Sequence, residues 1–279
     1  MSGRRTDLGM SDYSIVFTDL DGTILKNDKT ITERTSRVLK GLKDKGILWV
    51  VATARPEIAI NFYEEIKSAD ALITLNGARI KLKDKVISNG FSKEDALKLI
   101  RILSDKNLIL TLETSEGIFG NTVIPEWDTP KVDDLAALAE KVDVYKILIA
   151  GKDHKLPSIA EDRDMFCDGN EIGKMISDAI SSSGLDGSVY CSVAEGWLYQ
   201  LMSCNATKWK GVELLLKTEG ITAQKAIYFG DDNDDTDSIM NCGLGVAMGN
   251  AIEGVKAVSD LITLSNEEDG VAAVLEERC

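Results

Sequence analysis

Histidine, proline and cysteine are scarce in this chain of 279 residues. His154 is the single histidine, so zinc sites built on several histidines are excluded and a catalytic triad would have to use this one residue. The five cysteines include no Cys-x-x-Cys pair, which argues against a disulfide framework and predicts a reducing, cytoplasmic location. No apolar run approaches the roughly 20 residues that span a bilayer, so we expect no membrane partner.

Basic residues are also fewer than acidic ones. The chain has 32 Lys and Arg against 46 Asp and Glu, a formal net charge of −14. An acidic surface repels phosphate backbones and argues against nucleic-acid binding, although a few local cations could still hold a small anionic substrate. No feature demands an obligatory protein partner. The apolar share of 44% allows a sizeable core in one large domain or two smaller ones.

Short apolar runs alternate with helical patterns near the amino terminus. We predict strands over 13–18, 47–51 and 71–75, a helix opened by a capping box of Thr30 and Glu33, and a second helix over 57–67. Polar residues follow each predicted strand. This order is typical of a doubly wound, Rossmann-like α/β sheet, which binds ligands at the carboxyl ends of its strands.

The pattern becomes mixed α+β after about residue 84, with a predicted helix over 132–142, and the α/β rhythm returns near Lys208. We therefore predict a catalytic core formed by 12–84 and 203–279. Residues 85–202 would be an inserted α+β cap domain.

Two groups of aspartates follow predicted strands. Asp19 and Asp21 come directly after the first strand, and Asp-Gly by itself is also a common turn. The second group follows a predicted strand over 225–229 and contains Asp231, Asp232, Asp234 and Asp235. If the two strands are neighbours, these carboxylates converge, and their oxygens favour a hard cation such as Mg²⁺.

The spacing of these residues also suggests a reaction. A carboxylate such as Asp19 can attack phosphorus and form an aspartyl-phosphate, while Asp21 can protonate the leaving alcohol. Thr53, after the next strand, can donate a hydrogen bond to the phosphoryl group. Lys208 is a candidate for the cation that such chemistry needs.

Five segments together carry a resemblance to one family: DLDGT at 19–23, ATAR at 52–55, the approach to Lys208, GDDNDD at 230–235 and VAMGNA at 246–251. They resemble the motifs of the haloacid dehalogenase (HAD) superfamily, specifically the Cof-type phosphatases with a large α/β cap. The resemblance extends over nearly the whole chain beyond residue 12.

The resemblance implies roles for the matching residues. Asp19 would be the nucleophile and a Mg²⁺ ligand, and Asp21 the general acid and base with its backbone carbonyl on the metal. Thr53 and the backbone N–H of Ala54 would bind the phosphoryl group. Lys208 would neutralise the nucleophile and a phosphoryl oxygen.

The fourth motif would complete the metal site. Asp231 would be the remaining carboxylate ligand, and Asp235 would hold a metal-bound water or orient Lys208. Asp234 stands where the family usually has asparagine and adds charge nearby. Ala54 replaces a common glycine, which is tolerable unless that position needs a positive φ.

We therefore expect a Mg²⁺-dependent phosphatase acting on a small phosphorylated metabolite, with sugar phosphates favoured. The alternatives are a phosphotransferase or mutase, a phospho-aspartate signalling module and a catalytically silent binding protein. Arg55 has two open interpretations, as a substrate contact or as a member of a structural ion pair.

Overall fold

The structure is a computed structural model that describes residues 13–83, 85–151, 154–159, 169–194 and 196–278. The chain forms two compact units. The first contains the described residues up to Ile87 together with those from Thr207 onward, and the second spans Ser88–Ala206. No helix in these ranges is long and apolar enough to cross a membrane.

The strands of the described residues are, in chain order, β1 (Ile15–Thr18), β2 (Leu48–Ala52), β3 (Ala71–Thr74), β4 (Arg79–Leu82), β5 (Lys85–Ser88), β6 (Leu110–Thr114), β7 (Gly117–Gly120), β8 (Val144–Ala150), β9 (Val189–Ala194), β10 (Leu198–Ser203), β11 (Ala226–Gly230), β12 (Leu244–Ala247) and β13 (Leu261–Ile262). The helices are α1 (Glu33–Gly41), α2 (Lys93–Ser104), α3 (Leu135–Ala139), α4 (Gly169–Ser182), α5 (Lys208–Glu219), α6 (Thr236–Asn241), α7 (Glu253–Val258) and α8 (Gly270–Arg278).

The first unit is built on an eight-stranded sheet in the order β13-β12-β11-β1-β2-β3-β4-β5. Neighbours from β13 to β3 run parallel, and β4 is antiparallel to β3. Every residue of β1 and β11 is buried, as expected for central strands covered on both faces. The predicted α/β fold class with a parallel sheet core is confirmed.

The second unit has its own five-stranded antiparallel sheet in the order β7-β6-β8-β10-β9. Leu112, Ile147 and Leu201 point to one face, where they pack in a single cluster with Leu99 of α2 and Ile176 of α4. This separate sheet is the kind of layer that a cap domain would have. The proposed boundaries 85–202 and the covering role stay predictions.

The predicted helix over 57–67 is wrong. This stretch forms only two isolated 3₁₀ turns, Glu57–Ala59 and Ile66–Ser68. Its buried side chains, Ile60, Tyr63 and Ile66, recur every three residues. That period matches a 3₁₀ turn better than an α-helix, whose apolar stripe advances by three and four.

Three further details differ from the sequence prediction. Helix α1 is capped by Thr32, whose side chain accepts a hydrogen bond from Thr35 N at 3.0 Å, and not by Thr30. The predicted helix 132–142 shortens to α3, which starts after its N-cap Asp134. Strands β4 and β5, the last two at one end of the sheet, were missed, although alternation of apolar and polar residues in Arg79–Leu82 is a strand signal.

Candidate active site

Three neighbouring strands of the first unit end next to one another. Asp19 follows β1, Thr53 follows β2 and Asp231 follows β11. Because β1 pairs in parallel with both other strands, their carboxyl ends lie at the same sheet edge. This is the edge at which open parallel sheets bind ligands.

Lys208 is the cation at the centre of the cluster. Its Nζ donates to Asp19 Oδ1 at 2.6 Å and to Asp235 Oδ1 at 2.8 Å, and lies 3.1 Å from Asp234 Oδ1. Its side chain is only 3% exposed. Burial acts to lower the pKa of Lys208, but the charges of Asp19 and Asp235 outweigh it and raise this pKa well above its usual value. Lys208 therefore remains an ammonium ion in the site.

The position of Lys208 depends on a close backbone approach. Lys208 is the first residue of α5, and the N-cap Thr207 accepts a hydrogen bond from Lys210 N. A Cβ on Gly77 would lie 2.1 Å from Thr207 O, and Gly77 has a φ of +90°. Only glycine fits this position, so the turn after β3 fixes the start of α5 and with it Lys208.

Asp235 is fully buried and surrounded by donors. Oδ1 accepts from Lys208 and from the Tyr228 hydroxyl at 2.7 Å, and Oδ2 accepts the backbone N–H groups of Asp231 and Asp232 at 3.0 and 3.1 Å. Its carboxylate thus joins α5, β11 and the loop after β11. This arrangement supports the predicted orienting role toward Lys208.

Asp231 lies against the loop that follows β1. Its Oδ1 accepts a hydrogen bond from Thr23 Oγ1 at 3.1 Å. A Cβ on Gly22, which has a φ of +73°, would lie 2.2 Å from Asp231 Oδ2. Burial first, and the charge of Asp235 second, raise the pKa of Asp231 to about 7.

The site offers oxygen ligands for a hard cation. One carboxylate oxygen from each of Asp19, Asp231 and Asp235 lies within 4.8 Å of the others. Asp235 already accepts four hydrogen bonds, so the carboxylates of Asp19 and Asp231 are better placed to be metal ligands. Burial and the charge of Asp235 raise the pKa of Asp231 more than Thr23 and Lys208 lower it, and a bound Mg²⁺ would favour its carboxylate form.

The side chain of Asp21 points to a different set of partners. It accepts hydrogen bonds from Arg55 Nε and Nη2, each at 2.6 Å, and from Lys29 Nζ at 2.7 Å. Although burial acts to raise it, these cations lower the pKa of Asp21 below its usual value. Arg55 therefore forms an ion pair, and its partner is a predicted catalytic residue.

The predicted phosphate-binding residues lie at the end of β2. Thr53 is 1% exposed, and its Oγ1 accepts a hydrogen bond from Arg55 N at 3.2 Å. The turn after β3 supports this loop, because Asn76 N donates to Thr53 O and Leu75 N to Arg55 O. Ala54 is not among the described residues with a positive φ, so alanine is accommodated there without strain.

The contacts that Thr23, Tyr228 and Lys29 make in the site were not predicted. Thr23 lies within the first motif and Tyr228 is a polar residue in a buried strand, two signals that sequence analysis could have used. Lys29 gave no signal. Asn250 joins two loops, since its Nδ2 donates to Gly22 O at 2.8 Å and its Oδ1 accepts from Asn266 N at 2.9 Å.

A parallel sheet with aspartates around a buried lysine at its carboxyl edge is typical of a class of α/β hydrolases. The sequence profile of the haloacid dehalogenase-like hydrolases matches residues 16–275, and the chain belongs to this family. The predictions of this family and of a hydrolytic enzyme are confirmed.

Known relatives match this chain over nearly its full length. The chain is 26% identical over 277 residues to the 5-amino-6-(5-phospho-D-ribitylamino)uracil phosphatase YitU of Bacillus subtilis, covering 94% of this chain and 96% of the relative. A Thermotoga maritima crystal structure has a TM-score of 0.80 at 24% identity, covering 95% of this chain and 97% of that one. A sugar phosphatase of HAD subclass IIB has a TM-score of 0.71 at 20% identity, covering 95% and 98%. At these identities the structures show a shared fold.

Proposed function

We propose that the protein is a Mg²⁺-dependent phosphatase that hydrolyses a small phosphorylated metabolite through an aspartyl-phosphate on Asp19. The observation that carries this proposal is the contact between Lys208 and Asp19, two residues 189 positions apart in the sequence. A buried ammonium at 2.6 Å offsets the charge of the nucleophile as it approaches an anionic phosphoryl group.

The proposed reaction has two halves. Asp19 attacks phosphorus, the bond from phosphorus to the leaving oxygen breaks, and Asp21 gives that oxygen a proton. Asp21 then takes a proton from water, whose oxygen attacks phosphorus and releases Asp19 and inorganic phosphate. The first half requires a proton on Asp21, which its contacts with Arg55 and Lys29 disfavour, and the second half requires the carboxylate form that these contacts favour.

The remaining residues bind and orient. Thr53 and the backbone N–H of Ala54 would donate hydrogen bonds to phosphoryl oxygens. Asp19, the backbone carbonyl of Asp21 and the carboxylate of Asp231 would hold Mg²⁺. The bound ion would supply charge that offsets the developing negative charge on the phosphoryl oxygens. Asp235 and Asp234 would keep Lys208 in place.

The substrate proposal draws on the relatives. Phosphatases acting on a ribityl phosphate and on sugar phosphates share the family or the fold. We extend this to a sugar-type phosphate here, with residues 85–202 as the proposed cap that selects it. The cytoplasmic location is likewise proposed, on the cysteine pattern alone.

The test is phosphate release from p-nitrophenyl phosphate and a panel of sugar phosphates, with Mg²⁺ or with EDTA. We expect release that depends on Mg²⁺ and is lost in Asp19→Asn. Asp44→Asn, at an exposed position of the same unit, is the matched control. Equal activity in Asp19→Asn and the control would disprove the proposed nucleophile, and transfer of phosphate to an added alcohol would favour the phosphotransferase alternative.

A further inference from the structure

The first unit contains a cleft that takes no part in the proposed reaction. Its volume is about 720 Å³, and small-molecule sites commonly measure roughly 300–1,000 Å³. The cleft lies between the end of α1 and the stretch 57–67. Its lining residues Trp49 and Ala71 stand near the amino ends of β2 and β3, whereas Thr53 follows the carboxyl end of β2. The cleft is therefore separate from the candidate active site.

The cleft opens where the segment between β2 and β3 is not a continuous helix. A helix would place an unbroken row of side chains over the sheet. The segment instead contains two 3₁₀ turns, and its buried residues Ile60, Tyr63 and Ile66 line one side of the cleft. Leu39 of α1 and Trp49 of β2 line it as well, so much of the lining is apolar.

The cleft is basic, although the chain as a whole carries a formal net charge of −14. Five lysines line it against two acidic residues. The lysines are Lys40, Lys43, Lys67, Lys81 and Lys83, and the acidic residues are Glu57 and Asp70. Clefts lined by charges of one sign focus the electric field and attract ligands of the opposite sign.

The two acidic residues already have partners in the protein. Asp70 Oδ2 accepts a hydrogen bond from Trp49 N at 2.9 Å. Glu57 forms ion pairs with Arg79 and Lys81. Neither carboxylate is therefore left to neutralise the remaining lysines of the cleft.

Two of those lysines are available to an anionic ligand. Lys40 lies in the last turn of α1 and Lys43 follows three positions later, and both side chains are exposed. Their ammonium groups form no hydrogen bond or ion pair with any residue that the structure describes. A phosphate monoester carries between one and two negative charges at neutral pH, so its charge matches this pair of ammonium groups.

The lining defines the rest of the ligand. A free phosphate ion would use the ammonium groups but leave the apolar lining in contact with water, and a neutral ring would leave the ammonium groups without a counter-charge. Trp49 and Tyr63 offer aromatic surface on which a flat ring can pack. The side-chain amide of Asn61, which also lines the cleft, both donates and accepts and can pair with the nitrogens of a heterocycle.

We propose that this cleft binds a mononucleotide, with the phosphate at Lys40 and Lys43 and the base on the apolar lining. The proposal goes beyond the phosphatase function, because the cleft uses none of the residues assigned to phosphoryl transfer.

The test is calorimetric titration of the full-length protein with AMP in EDTA, with ribose 5-phosphate and adenosine as ligands that lack the base or the phosphate. We expect AMP to bind at least about tenfold more tightly than either, because only AMP engages both parts of the cleft. Lys40→Ala combined with Lys43→Ala should weaken AMP binding about tenfold. Lys45→Ala combined with Lys217→Ala removes the same charge from exposed lysines outside the cleft and should change AMP affinity by less than about twofold.

Four results would overturn the proposal: no AMP binding, an affinity for AMP no higher than for ribose 5-phosphate or adenosine, no weakening by the loss of Lys40 and Lys43, or the same weakening in both double variants. Because binding is measured in EDTA, the outcome does not depend on turnover. An active phosphatase that gives any of these results would refute this inference alone. An inactive protein whose AMP binding follows the expected pattern would refute the proposed function alone.

Discussion

Arg55 donates two hydrogen bonds to the carboxylate of Asp21, from Nε and from Nη2, each 2.6 Å from a different oxygen. A planar guanidinium fixes the orientation of its partner in a way that a lysine ammonium does not. The side chain proposed to move the proton is therefore held by a residue of the adjacent loop.

The first prediction follows from this contact. Arg55→Lys keeps the charge but loses the two-point contact, so we expect kcat for a sugar phosphate to fall roughly tenfold, part of the 10²- to 10⁴-fold that general acid catalysis supplies. The loss should be smaller for p-nitrophenyl phosphate, whose leaving group departs without a proton. Arg34→Lys, which breaks a similar exposed contact with Glu276, is the control. Equal losses on both substrates would contradict the positioning role.

We expect Thr23 to strengthen Mg²⁺ binding by orienting Asp231. Thr23→Val removes the hydrogen bond that holds Asp231 Oδ1, so we expect the apparent affinity for Mg²⁺ to fall by about 10- to 100-fold. The measurement is phosphate release as a function of Mg²⁺ concentration. Thr218→Val removes a hydroxyl that bonds only to Leu214 O on α5 and should leave the metal dependence as it is.

We expect glycine to be required at position 22 because of the contact with Asp231 as well as the positive φ. In Gly22→Ala the new methyl would meet Asp231 Oδ2, so we expect both a lower melting temperature and weaker Mg²⁺ activation. Gly46→Ala provides the comparison, since Gly46 has a φ of +71° but nothing within 4 Å of the added Cβ. If the two variants lose the same stability and Gly22→Ala keeps its Mg²⁺ response, the contact with Asp231 is unimportant.

Tyr228 should contribute stability through Asp235. Tyr228→Phe removes a buried hydrogen bond to a carboxylate, which we expect to lower the free energy of unfolding by about 1.5–3 kcal/mol. A double-mutant cycle with Asp235→Asn, followed by denaturant unfolding, isolates the pair. Additive effects of the two changes would mean that the hydroxyl acts elsewhere.

The pKa of Asp231 predicts a pH dependence of the metal-free protein. Between its ordinary value of 3.8 and about 7, folded Asp231 holds a proton that the unfolded chain does not. The free energy of unfolding in EDTA should therefore decrease as pH rises through this window. Below about pH 7, Mg²⁺ must displace that proton, so its affinity should fall by roughly tenfold per pH unit.

Melting temperatures across pH 4–8, with EDTA and with Mg²⁺, measure this effect. Asp231→Asn removes the titrating group and serves as the reference. If wild type and Asp231→Asn show the same slope in EDTA, the pKa of Asp231 is not raised.

The sheet could be predicted from sequence because its signals are local. The strands β1, β2, β3 and β11 are short apolar runs, and each is followed by polar residues. Parallel pairing then requires those polar residues to meet at one edge. The family resemblance singled out Asp19, Lys208 and Asp235, and in the structure Lys208 contacts both aspartates.

What escaped prediction depends on contacts between distant residues. The partners Thr23 and Asp231 are 208 positions apart, and nothing local says which oxygen the hydroxyl reaches. The stretch 57–67 contains good helix formers, but Glu57 pairs with Arg79 and Lys81 of strand β4. Tertiary contacts there override local helix propensity.

The strand order also bears on how the enzyme is made. Strand β1 lies between β2 and β11, yet β11 leaves the ribosome only after the whole second unit has been synthesised. At typical translation rates, the separation of 208 positions between Thr23 and Asp231 corresponds to a delay of roughly 10–40 s. During that delay β1 has one open edge and Asp19 lacks Lys208, so under the proposed mechanism a nascent or truncated chain would have no phosphatase activity. The protein would therefore become active only after the last quarter of the chain has been synthesised.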